Sequence, residues 1–146
     1  MSFIQYLTPT AQEIVDQEKE EVYEIATGGG PVSIGKAVCF DAAGGSIIKV
    51  ADTRDSDCKG MFAGVALQNG VDGDFINIQS FGEYEDNSFN FPASAVGGKV
   101  YYDFNGDITH DLSTIESDGL SDHYQIIGKV LSNKKILIKE EPAVTK

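Results

Sequence analysis

Gly30-Pro-Val-Ser-Ile-Gly35-Lys36 is the first place where residue types and spacing could do chemistry. It fits G-x-x-x-x-G-K, the pattern whose backbone N–H groups and lysine cradle phosphate. That chemistry also needs Ser or Thr in the next position and a helix after it. Here Ala37 follows, then a β-rich run, so the match reads as chance. Asp103-Phe-Asn105-Gly-Asp107 places oxygen ligands at calcium-loop spacing. Such a loop closes on a bidentate Glu at its twelfth position, where this chain has Thr114. Asp-rich Asn-Gly turns between strands arise for backbone reasons alone.

His110 and His123 lie too far apart for a short metal-binding pair and have no cysteine or serine motif beside them, so they read as surface or interface residues. Two of the many carboxylates could work as a glycosidase pair, but the sequence singles out no two. Asp52, Asp55 and Asp57, with Asp118 and Asp122, read as solvated loop edges. Cys39, inside a strand, reads as a small core residue. Cys58, among Asp and Lys, reads as an exposed free thiol, which suits a reducing cytoplasm. The expectation is therefore no catalytic residue, no metal and no cofactor.

The elements that would position these residues fall into two parts. In residues 1–30, Phe3, Ile4, Tyr6 and Leu7 form a short apolar start. Thr10-Ala-Gln-Glu13 has capping-box spacing. Ile14, Val15, Val22 and Ile25 fit one helical face among glutamates, which predicts a short acidic helix ended by Gly28-Gly29-Gly30-Pro31. From Val32 onward the pattern is strand-like: Val32 to Phe40, Ser46 to Val50, Met61 to Gln68, Phe75 to Gln79, Lys99 to Phe104, Ile108 to Leu112, Tyr124 to Leu131 and Lys134 to Lys139. Residues 140–146 read as a loose tail.

The strands repeat. Gly35-Lys-Ala-Val-Cys-Phe-Asp41 returns as Gly97-Gly-Lys-Val-Tyr-Tyr-Asp103, an offset of 62 residues. Phe62-Ala-Gly-Val-Ala-Leu-Gln-Asn69 returns as Ile126-Ile-Gly-Lys-Val-Leu-Ser-Asn133, an offset of 64. This predicts an all-β body over 31–139, an antiparallel barrel or sandwich, with one repeat at about 32–80 and a second at about 95–139. Between them, Phe81 to Pro92 carries Tyr84, Phe89 and Phe91. These rings would either close the core or form an aromatic contact surface; burial is the commoner fate of aromatics.

The chain has 146 residues and a net charge of −12, enough length for one self-sufficient domain and a surface that repels nucleic acid. No stretch has the length of a membrane span or a signal peptide, so neither membrane nor nucleic acid is an expected partner. Charge is uneven: residues 10–25 carry six acids and one Lys, while 129–146 carry five Lys and two acids. Those lysines would either protect a terminal edge strand or serve a head-to-tail contact between subunits.

Gly35 to Asp41, Gly44, Met61-Phe-Ala-Gly-Val-Ala-Leu67, Asp72-Gly-Asp-Phe-Ile-Asn-Ile78 and Phe81-Gly82 occur in an order that resembles small capsid-associated proteins of tailed bacteriophages. Gly98 to Asp103, Ile127-Gly128 and Ile136 to Ile138 supply a second turn of the same pattern. These are the decoration or cement proteins, with related domains in head fibres. The resemblance implies a barrel-like or β-tulip-like body, non-enzymatic, made in the host cytoplasm and placed on the capsid surface of the virion. It implies the major capsid protein as partner and a homo-oligomer, a trimer in preference to a dimer. It also implies an N-terminal arm that clamps capsid subunits, with Phe3, Ile4, Tyr6 and Leu7 as anchors. Tyr84, Phe89 and Phe91 are the further interface candidates. With Tyr101 and Tyr102 they are also the candidates for an alternative, a carbohydrate- or surface-binding module. The acidic helix suits a head fibre instead.

Overall fold

The structure, a computed structural model, describes residues 21–28, 30–41 and 45–146. Phe3, Ile4, Tyr6 and Leu7, and the proposed helix start at Thr10, lie outside the described residues. The chain is all-β. Its strands are β1 (Glu21–Thr27), β2 (Ala37–Phe40), β3 (Ile47–Val50), β4 (Phe62–Ala66), β5 (Phe75–Glu85), β6 (Lys99–Tyr102), β7 (Ile108–Thr109), β8 (His123–Tyr124), β9 (Ile126–Ser132), β10 (Lys135–Ile138) and β11 (Val144–Thr145). A single helical turn at Ser113–Glu116 and two short 3-10 turns complete the described elements.

Strands β1, β3, β2, β4 and β5 pair in that order, and β1 pairs back onto β5 to close a five-stranded barrel. Every seam is antiparallel except β1–β3. A closed ring with an odd number of strands cannot alternate direction throughout, so one parallel seam is unavoidable. Inward side chains alternate along each strand, as the pleat requires. Ile25, Val38, Ile48, Ile76 and Ile78 therefore fill the barrel together with Val32, Ala63 and Ala66.

Two sequence expectations change here. The spacing of Val22 and Ile25 predicts a helical face, but residues 21–27 form a barrel strand. Ile25 points into the barrel core and Val22 lies on the outer wall, 47% exposed. In Val22-Tyr-Glu-Ile25 the apolar spacing fits a helix face, and the seam partners β3 and β5 override that local preference. The body thus begins by Glu21, and Gly28 and Gly30 are tied into it: Gly28 N–H donates to Ile48 O, and Gly30 N–H to Asp72 Oδ1. Residues 140–146 are not loose. β11 pairs with β8, Glu141 N–H donates to Ile126 O, and the Lys146 ammonium donates to the carbonyls of Ile115 and Asp118.

The duplication is structural. In the sheet, β3-β2-β4-β5 is matched by β7-β6-β9-β10, and the two units join where β10 pairs with the far half of β5. The irregularities match as well. Val38 lies opposite Gly64 with a bulge before Cys39, and Val100 lies opposite Gly128 with a bulge before Tyr101. At both glycines a Cβ would run into the backbone carbonyl of the next strand, Gln79 O for Gly64 and Leu137 O for Gly128. The glycine at the centre of each Gly-Val and Gly-Lys strand therefore permits the close strand approach that each bulge creates. The second unit has no counterpart of β1 among the described residues, so its strands form an open sheet laid against the barrel.

A second core fills that interface. Ala37, Cys39, Phe62 and Val65 on the barrel's outer wall meet Val100, Tyr102, Ile127, Val130, Ile136 and Ile138 of the second sheet. Cys39 and Cys58 form a disulfide here, and both are fully buried. This corrects the reading of Cys58 as an exposed free thiol and removes the thiol argument for a reducing compartment. The Asp-Lys surroundings misled: the 3-10 turn Ser56–Cys58 directs the sulfur inward while its polar neighbours stay outside.

Candidate functional site

Tyr84, Phe89 and Phe91 are buried, at 8%, 8% and 6% exposure, so they belong to the core and not to a contact surface. The long β5 carries Tyr84 past the barrel into the second core, and the turn after it folds Phe89 and Phe91 beneath. The Phe89 ring lies 4.9 Å from Phe91 and 5.9 Å from Tyr84. The Tyr84 hydroxyl donates to Asp86 at 3.0 Å, and burial followed by the Asp86 charge pushes its pKa upward. Tyr101 and Tyr102 are buried too, which withdraws the set of rings considered for carbohydrate stacking.

Over Phe89 and Phe91 lies an open groove of about 360 Å³, at the junction of the two repeats. One wall is the Ile34–Lys36 turn, the other Asp107–His110. Lys36 pairs with Asp107 at 2.6 Å across 71 residues, joining one repeat to the other. Asp86 accepts from the Ser88 N–H at 2.9 Å and from its hydroxyl at 2.7 Å. His110 is exposed and meets Phe91 edge-on at 5.8 Å. The groove could take a small polar ligand, yet Lys36 and Asp107 already pair with each other and Asp86 is held by Tyr84 and Ser88.

The two motifs that looked chemical have backbone roles. The residues after Lys36 form β2, not a helix, and Gly35 N–H donates to Ala66 O. Asp103 Oδ1 accepts from the N–H groups of Asn105 and Asp107, so it caps its own turn. Burial raises its pKa despite these bonds.

His123 is the histidine that sequence reasoning misplaced: it is fully buried. Its Nε2 is 2.7 Å from the Tyr102 hydroxyl, and its Nδ1 bonds the Asp122 carboxylate. With the proton on Nδ1, the ring donates to Asp122 and accepts from Tyr102. The order Asp–His–hydroxyl is that of a catalytic relay. Here the hydroxyl is a fully buried tyrosine, so the trio ties β6 to β8 and presents no nucleophile to solvent. Burial, then the charges of Asp122, Asp52 and Asp55, raise the Tyr102 pKa. The acidic loops are likewise structural. Asp55 pairs with Lys49 at 2.6 Å and caps the 3-10 turn through the Asp57 N–H. Asp118 accepts from Arg54, Leu120 and Ser121, and Arg54 stacks on the Phe104 ring.

The least expected surface is the outer face of the second sheet. Lys99 on β6 lies directly opposite Lys129 on β9, and Lys129 opposite Leu137 on β10. With Lys139 these residues line a shallow depression of about 290 Å³ floored by Gly97 and Gly128. Lys99 reaches Glu141 at 3.6 Å, a solvated pair, while Lys129 and Lys139 have no ion-pair partner among the described residues. β10 sits between β5 and β9, so its lysines do not guard a terminal edge. The period-2 order Lys135-Ile-Leu137-Ile-Lys139 was legible, but the cross-strand register that gathers Lys99 and Lys129 beside it was not.

Among the described residues no group of three or more His, Cys, Asp or Glu is placed to hold a metal ion, and no helix is long and apolar enough to cross a membrane. No family model matches the chain, and no curated protein matches it.

Proposed function

We propose that this chain is a structural, non-enzymatic protein of a tailed-phage virion, an oligomeric decoration or cement protein on the outside of the head. The observation that carries the reading is the duplicated four-strand unit. Its motifs are those of the resemblance, and its two copies share strand order, bulge position and glycine contact. Such a body offers wide sheet faces and suits a role in which many copies each make a modest contact on a symmetric lattice. The major capsid protein is the partner this implies, and a trimer the preferred assembly. The head-fibre alternative leaned on a helix reaching Ile25; that stretch is β1, which shortens any stalk.

The test is co-sedimentation and negative-stain imaging of purified protein with phage heads, before and after expansion. Saturable, regular decoration of expanded heads is the expected result. Absence of binding to either form would overturn the reading.

A further inference from the structure

We infer that the lysine face of the second sheet is the docking site for the acidic barrel wall of a second copy, giving a head-to-tail assembly. The inference rests on the self-association in the reading above and names its surface.

The lysine face is built against its own electrostatics. Directly opposed like charges in an antiparallel pair destabilise the sheet, and Lys99 and Lys129 are so opposed. In a chain of net charge −12, the depression around the half-buried Leu137 gathers Lys99, Lys129 and Lys139 against Glu141, which also lines it, and Glu83, which lies across from Leu137 on β5, so it keeps a net positive charge and fits an anionic surface.

The barrel supplies that surface. Along β1, Val22 and Glu24 point outward, and in the register with β5 they lie across from Gln79 and Asn77, while Ala26 lies across from Phe75. Val22 is 47% exposed and Phe75 66%, and they stand at opposite ends of this face with Glu24 and Asn77 between them. Glu21 and Glu24 are exposed and have no ion-pair partner among the described residues. The acidic run of residues 10–25 ends in this strand. β1 is held between β3 and β5, so its outer face cannot fold over onto its own molecule's lysine face. A second copy can bring the two together. The contact is heterologous, so a ring closes if the rotation permits, as a trimer would require.

The experiment is light scattering on the isolated full chain, with Lys129→Glu, Glu24→Lys and the double variant. Wild type is expected at a multiple of the 15.7 kDa chain mass. Either single reversal should shift the mass toward one chain and raise the dissociation constant at least ~10-fold. The double variant, in which each contact again pairs Glu with Lys, should recover the wild-type mass. Added salt should dissociate the wild type, because exposed charges are screened within about 10 Å at 0.1 M. A wild type that stays at one chain mass, a Lys129→Glu mass equal to wild type, or a double variant that fails to reassemble would each overturn the inference. Because no heads are present, the result is independent of whether the decoration reading survives.

Discussion

Single residues set local geometry here through contacts that leave no slack. Gly64 and Gly128 are each pressed against a neighbouring carbonyl, so Gly128→Ala should lower unfolding free energy by about 2–3 kcal/mol, as overpacking does. Gly119 has open space around it, and Gly119→Ala should be close to neutral in the same urea titration. Asp118 shows the electrostatic counterpart. The Arg54 guanidinium beside it, with the Leu120 N–H, holds its carboxyl at about 2. That lies below the unfolded value of about 4, so its contribution is complete above pH ~4 and fades as pH falls through ~2. The urea midpoint of wild type should therefore exceed that of Asp118→Asn at pH 7, and the gap should close between pH 4 and pH 2.

At the scale of elements, two cross-links replace features expected to be loose. The Cys39–Cys58 disulfide closes a loop with a sequence separation of 19, joining β2 to the 3-10 turn. Restricting an unfolded chain over that span is worth about 3 kcal/mol. Cys39→Ala with Cys58→Ala should lose about that much, and reductant should then have no further effect on the variant's melting. The C-terminal strand is the second cross-link. Deleting residues 142–146 removes the β11–β8 pairing and the Lys146 bonds to Ile115 and Asp118. A loss of about 2 kcal/mol is expected from those hydrogen bonds. Faster amide exchange confined to the segment around His123 and Tyr124 would be the signature; exchange rising through the whole barrel would show that the tail holds more than β8.

For the whole molecule, the consequence of the fold is a division between faces that are consumed internally and faces left outside. The barrel's outer wall at Ala37, Cys39, Phe62 and Val65 is consumed by the second sheet. Its wall at Val22 and Phe75, and the lysine face opposite the second core, are left outside. A surface kept for association is tuned against the stability of the lone chain. Relieving the Lys99–Lys129 opposition with Lys129→Gln should stabilise the isolated domain by about 0.5 kcal/mol while weakening assembly. Urea titration at low concentration and light scattering at high concentration read the two effects separately.

Sequence alone is enough for the all-β class, most strand positions and the duplication, because a period of two and a glycine at the bulge are local properties that survive without partners. It could not assign β1, whose Val22 and Ile25 spacing fits a helix until β3 and β5 are beside it. It misplaced Cys58 and His123, because burial of a residue amid polar neighbours depends on the direction in which a turn aims its side chain. The aromatic stretch from Tyr84 to Phe91 was readable as core or as contact surface, and packing against the second sheet decided for core. The lysine face was hidden most deeply. Lys99 and Lys129 are 30 residues apart in the chain, and only the β6–β9 register, fixed by the bulge at Val100 and Gly128, sets them side by side.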